Sequence, residues 1–290
     1  MIEIPLPDNR HLAIQRVGAP QGFPCFYLHG FPGSRLETAA YMVGAAEAGL
    51  QLFAIDRPGY GRSSPPPPGR ALAEWPDDLS VAADTLGLHQ FGIIGISGAG
   101  PYLCAAAYRL HHRVTKCLMI SPLGPTDVPE NLQGMNQYNR TLIRIARYAS
   151  WLARPILSLG KHAISGDLNK FLRRCHRIGL GEADLAALRD QAFAQCLASS
   201  MAEAFQGGVE GAVADGRNFT HPWGFCPEQV GCPVHLWHGD ADRVVPVAMG
   251  HYLAEHLPRC VAHFVPKEGH LSLVKSLGPT MLEEFAHQPT

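Results

Sequence analysis

Residues 91–100, FGIIGISGAG, set Ser97 at the end of an apolar run of strand length, with Gly95, Gly98, Ala99 and Gly100 around it. Small neighbours permit a turn tight enough to hold a serine in a strained backbone conformation, with its hydroxyl raised above the carboxyl edge of a sheet. A serine hydroxyl is a weak nucleophile at neutral pH until a base removes its proton. Two downstream segments offer the missing groups. HGDADRVVP, residues 238–246, supplies Asp240 and Asp242, and KEGH, residues 267–270, supplies His270. Serine, acid and histidine then follow in chain order, each in a loop after a strand-like run, where open α/β sheets place their reactive groups. Such a set performs acyl transfer: the serine attacks a carbonyl, the imidazole carries the proton, and the acid orients the ring.

A tetrahedral intermediate also needs donors for its oxyanion. The N–H of Gly98, at the start of the helix after Ser97, is one candidate. HGFPGS, residues 29–34, offers a second in Phe31, because Pro32 has no N–H to give. His29 reads as a structural ring holding that loop. The other histidine pairs make no metal site. His235 and His238 lie three apart on a strand and face opposite sides, and neither they nor His111-His112 sit in a ligand pattern such as H-E-x-x-H. No metal is expected. Gly95 to Gly100 lacks the spacing and the following Lys of a phosphate loop, so no nucleotide cofactor is expected either.

The elements that must position these residues can be read from hydrophobic spacing. Residues 2–6 and 12–17 alternate about an Asp8-Asn9 turn and predict a β-hairpin. Apolar runs at 23–29, 51–56, 91–97 and 114–121 predict strands, the first three followed by helical text, so a parallel sheet with helices on its faces is expected. Glu74-Trp75-Pro76-Asp77-Asp78 has the proline and acids of a helix start. After Ser121 the alternation stops. Residues 140–159, 166–178 and 182–205 carry apolar residues at helical spacing; then 233–238 and 261–265 return as strands and 247–257 and 271–285 as helices. This divides the chain into an α/β core, residues 1–121 and 231–290, and an inserted helical cap, 122–230.

Composition narrows the class of ligand. At 46% hydrophobic and 17% charged the chain has the means to bury a large core, and its net charge of −1 carries no footprint of nucleic acid or an anionic surface. The expected partner is a small, largely uncharged molecule. No run reaches the length of a membrane span, and no signal peptide is expected in the first residues. The eight cysteines are scattered without a C-x-x-C pair, which favours buried free thiols over disulfides or zinc ligands. A cytoplasmic protein is expected, and its oligomeric state is left open.

With HGFPG, DRPGYGRS (residues 56–63), GISGAG and HGDADRVVP in order, the chain resembles the α/β-hydrolase superfamily in its cap-bearing, serine-dependent branch, close to esterases and proline-iminopeptidase-like members. Ala99 stands where the family pattern G-x-S-x-G has its last glycine. The resemblance implies a mostly parallel eight-stranded sheet, a helical lid and cofactor-free hydrolysis through an acyl-enzyme. It selects Asp242 over Asp240 as the acid, leaves Asp127 as a third choice, and makes the DRPGYGRS loop a support that does not react. The expected activity is cleavage of a small to medium carboxylic ester by Ser97, Asp242 and His270, with Phe31 and Gly98 as oxyanion donors. Carbon–carbon bond hydrolase, lactonase and aminopeptidase chemistry are alternatives, as is a ligand-binding receptor. Trp151, Tyr138, Tyr148, Phe171, Phe193 and Met201 in the cap read equally as pocket lining or ordinary core.

Overall fold

The computed structural model describes residues 1–161 and 166–287; residues 162–165 of the expected cap and 288–290 of the expected core lie outside the described residues. Eight strands form one sheet in the order β1-β2-β4-β3-β5-β6-β7-β8. β1 (Ile2–Pro5) and β2 (His11–Gly18) are the expected hairpin, and β2 pairs antiparallel with β4 (Leu50–Ile55). β3 (Phe23–Leu28), β5 (Phe91–Ile96), β6 (Val114–Ile120), β7 (Val234–Gly239) and β8 (Cys260–Val265) continue the sheet in parallel. Strands buried on both faces read as unbroken apolar runs, and all six residues of β5 are buried.

Successive side chains on a strand point to opposite faces, so β3 sends Phe26 and Leu28 to one core and Cys25 and Tyr27 to the other. On the first face lie α2 (Trp75–Thr85), α3 (Gly100–Arg109) and α10 (Val247–His256); on the second lie α1 (Thr38–Tyr41) and α11 (Ser272–His287). From β3 the chain turns to β4 on one side, then crosses to β5 on the other. The carboxyl ends of β3 and β5 therefore flank a topological switch point, with Leu28 beside Gly95 in register.

Between β6 and β7 the described residues are helical: α4 (Gln137–Tyr148), α5 (Ala153–Lys161), α6 (Leu168–Ile178), α7 (Glu182–Ala187), α8 (Gln191–Ala204) and α9 (Glu210–Thr220). Three details depart from the sequence reading. The stretch 140–159 is two helices, because Ala149 leaves helical geometry at φ −142°. The stretch 182–205 is also two, with Asp190 accepting the N–H of Phe193 as the N-cap of α8. α9 is an additional helix; its Gly211 and Gly216 dilute the apolar spacing that would have marked it. All eight cysteines are free, five of them buried; Cys226 is exposed, and Cys196 and Cys260 are partly so.

Candidate active site

Ser97 follows β5 directly and has φ +55°, a left-handed conformation that costs a non-glycine residue about 1–3 kcal/mol and persists only where the surroundings enforce it. Its carbonyl accepts the N–H of Leu123, which pins the elbow to the loop after β6. Ala99 has an ordinary φ of −75°, so the departure from glycine there requires no special backbone. The next amide, Gly98, lies at a helix start where N–H groups lack intrahelical partners. Phe31 stands against it: a Cβ on Gly98 would meet the Phe31 Cβ at 2.8 Å and the Phe31 N at 3.3 Å. The two expected oxyanion donors are thus brought side by side across the switch point.

Asp242 and His270 meet at 2.7 Å, with Nδ1 donating to Oδ2. The other carboxylate oxygen accepts the N–H groups of Val244 and Val245 at 2.8 and 2.9 Å. Burial would raise the Asp242 pKa, but His270 and the neighbouring His238, at 3.6 Å, outweigh it and hold the carboxyl well below the usual range. Burial likewise opposes charge on His270, yet Asp242, Asp184 and Glu37 together raise its pKa above 6.5. Nδ1 is engaged, which leaves Nε2 as the nitrogen available to a reacting group. Among the described residues no hydrogen bond joins Ser97 Oγ to the ring; catalytic bonds of this kind are commonly long without substrate and tighten in the Michaelis complex.

Two further carboxyls belong to this environment and were not singled out by the sequence. Asp184 of α7 is fully buried; its Oδ1 accepts the N–H groups of Leu271 and Ser272 at 2.7 and 3.1 Å, capping α11 immediately after His270. Gly269 is required there, since a Cβ would come within 2.4 Å of Asp184. Glu37 accepts the Tyr27 hydroxyl at 2.8 Å and the Gly30 N–H at 3.0 Å, and burial pushes its pKa up to about 7. The spacing of apolar residues marks neither acid; only the fold brings them to the histidine.

The loop carrying Phe31 is held from beneath. His29 is neutral: burial and Arg57 lower its pKa well below 6.5, its Nδ1 lies 2.8 Å from the Gly30 carbonyl, and its Nε2 accepts the Arg57 N–H. The Arg57 side chain, buried, donates to the carbonyls of His29 and Gly30 and to both oxygens of Asp215 in α9. Tyr60 and Tyr102 add their hydroxyls to the same carboxylate. Asp56 accepts the Arg35 N–H at 2.7 Å. The DRPGYGRS loop thus lies beneath the loop that carries Phe31.

Ser97, His270, Phe31, Gly98 and Glu37 all border one cavity of about 330 Å³, within the range of small-molecule sites. Its remaining walls are largely apolar. Of the six residues expected in the cap, Tyr138, Phe171 and Met201 line it; Phe193 packs on Tyr41 instead, and Tyr148 and Trp151 point to solvent. Asp127 is exposed, and Asp240 accepts the Lys267 N–H at 2.7 Å, bracing the loops after β7 and β8. His238 Nε2 lies 2.9 Å from the Val245 carbonyl, behind Asp242.

A family model described as the alpha/beta hydrolase fold matches residues 26–276. The chain belongs to the α/β-hydrolase fold family. It is 24% identical over 263 residues to a 2-hydroxymuconate semialdehyde hydrolase of Pseudomonas putida, covering 88% of this chain and 83% of that protein. Among solved structures, a bromoperoxidase from Bacillus anthracis superposes with a TM-score of 0.70 at 18% identity, covering 98% of this chain and 96% of that one. An esterase from a Rhodococcus species has a TM-score of 0.70 at 19% identity and the same coverages. These likenesses agree on the eight-stranded, mostly parallel sheet of the α/β-hydrolase fold. No helix among the described residues is long and apolar enough to cross a membrane.

Proposed function

We propose that this α/β-hydrolase is a serine hydrolase that cleaves a small to medium, uncharged carboxylic ester, and that the helices between β6 and β7 form a cap over its site. The observation that carries this reading is the convergence on one apolar cavity of a serine in a left-handed elbow and a histidine bonded to a buried carboxylate.

Ser97 Oγ attacks the ester carbonyl while His270 Nε2 takes its proton, and the resulting imidazolium is stabilised by Asp242. The N–H groups of Phe31 and Gly98 bind the oxyanion; losing one such donor typically costs ~2.7–4 kcal/mol of barrier. Collapse breaks the C–O bond, and His270 returns the proton to the departing alcohol. Water then attacks the acyl-enzyme by the same route, giving the acid and free Ser97. Substrate and water balance the reaction.

The test is labelling by a fluorophosphonate and turnover of p-nitrophenyl butyrate, comparing wild type with Ser97→Ala. Wild type is expected to label and turn over, and the variant to do neither. Labelling of the variant to the same extent would remove Ser97 from the mechanism, and slow single turnover with tight retention of product would favour a receptor. One observation supports a carbon–carbon bond hydrolase as second reading: Arg174 lines the cavity and is suited to hold a substrate carboxylate. That reading is favoured if a substrate bearing a carboxylate outruns its neutral analogue.

A further inference from the structure

The outer face of α4, α5 and α6 combines an excess of positive charge with large apolar side chains exposed to water. Residues 137–179 hold nine arginines and lysines against one acid, Asp167, in a chain whose net charge is −1. The rest of the chain is correspondingly acidic. Among the described residues of this stretch only Arg154 enters an ion pair, with Glu210 at 2.8 Å. Arg144, Lys170, Arg173 and Arg177 are exposed.

Interspersed with this charge are large apolar side chains in water: Tyr148 is 78% exposed, Trp151 75%, Leu159 78% and Ile156 39%. The same helices spend their inner faces, through Ile143, Ala146, Leu157 and Phe171, on the cavity, so the outer residues are surplus to the core. Tryptophan, tyrosine and aliphatic tips among arginine stems suit the boundary between lipid headgroups and acyl chains. Polyanions such as nucleic acid would use the charge, but they gain nothing from Ile156 and Leu159.

We propose that the outer face of α4–α6 docks on an anionic lipid surface. Docking sets the roof of the cavity against the membrane, because Tyr138 and Ile156 are both exposed and part of the cavity wall. An apolar substrate held in the bilayer then lies next to its entrance. The attraction is electrostatic and falls with ionic strength, while the apolar tips retain the bound state.

The experiment is co-sedimentation of the full chain with vesicles of phosphatidylcholine alone and with added phosphatidylglycerol, at low and physiological salt. Wild type is expected to pellet with the anionic vesicles and not with the neutral ones. Trp151→Ser/Leu159→Ser and Arg144→Glu/Arg173→Glu are each expected to weaken binding by on the order of ten-fold or more. None of these four residues borders the cavity, so turnover of a soluble ester stays at the wild-type rate and reports that the variants are folded. Ser97→Ala keeps vesicle binding, which separates this proposal from the hydrolase reading. No pelleting with anionic vesicles at low salt, or unchanged pelleting of both double variants, would each overturn the lipid assignment.

Discussion

Replacing Asp215 by leucine removes the acceptor of four hydrogen bonds at once: two from Arg57 at 2.7 and 2.8 Å, one from Tyr60 at 2.7 Å and one from Tyr102 at 2.5 Å. The guanidinium left behind is 1% exposed, with the carbonyls of His29 and Gly30 as its remaining hydrogen-bond acceptors among the described residues and the Tyr60 and Tyr102 rings beside it. Breaking a buried pair in this way costs about 3–5 kcal/mol, whereas replacing both members by apolar residues of similar volume is often close to neutral. For a chain of this size each kcal/mol moves Tm by about 2 °C, so Asp215→Leu should melt roughly 6–10 °C below wild type. Adding Arg57→Met should recover at least about half of that loss. Turnover should not recover with it. Without Arg57 the carbonyls of His29 and Gly30 lose their donor and the Phe31 N–H is no longer fixed, at a cost approaching the ~10²-fold of a missing oxyanion donor. Thermal melts and p-nitrophenyl butyrate kinetics on the two single variants and the double variant complete the cycle. A double variant that melts lower than Asp215→Leu, or one that regains wild-type turnover, would refute the reasoning.

Two predictions concern pH. His270 must be neutral to accept the serine proton and its pKa is raised, so kcat/KM should climb with pH through a midpoint above 6.5; Asp184→Asn, which removes one of the charges raising it, should move that midpoint down. An unshifted profile would exclude Asp184 from the electrostatics of the ring. The His270–Asp242 pair affects stability with opposite signs: the His270 contribution is complete below pH 6.5 and is lost as pH rises through its raised pKa, while that of Asp242 is present above pH 3.8 and is lost as pH falls through its depressed one. Glu37, at 4.5 unfolded and about 7 folded, favours the fold while protonated, and that support disappears as pH rises through about 7. Glu37→Gln should therefore raise Tm at pH 8, where ionising the buried acid costs about 3 kcal/mol, and leave it near wild type at pH 5; a difference independent of pH would contradict this.

The parts of this architecture that depend on local spacing were legible in the sequence. Unbroken apolar runs marked β3 to β6, and the small residues around Ser97 announced the left-handed turn seen at φ +55°. Where a motif fixes a loop, the family pattern H-G-x-x-D-x-x-V-P singled out Asp242 over Asp240, and Asp242 is the acid that bonds His270. What was not legible depends on contacts across the fold. Nothing near residue 184 signals that its carboxylate caps a helix starting at residue 272. Glu37 reads as an ordinary first-turn acid until Tyr27 and Gly30 enclose it. The aromatics of α4 carry no local sign of which way they face, and Tyr138 borders the cavity while Tyr148 stands in solvent.

Those cross-fold contacts divide the helical segment into two parts with different consequences for chemistry. Asp184 of α7 grips the backbone after His270, and Asp215 of α9 closes the cluster under the Phe31 loop. From α8, Ser200 accepts the N–H of Ser34 at 3.0 Å and Glu203 pairs with Arg35 at 2.7 Å, both on the segment following the Phe31 loop. α7 to α9 therefore hold the backbone beside His270 and the Phe31 loop, and under the proposed mechanism disturbing them should change the reacting geometry. Among the described residues, α4 to α6 meet the cavity mainly through apolar side chains, with Asn139 and Arg174 as polar exceptions, and hold no group hydrogen-bonded to Ser97, His270 or Asp242. Substitutions in α4 to α6 should shift which molecules enter, with KM moving more than kcat, because the donors and the base keep their places.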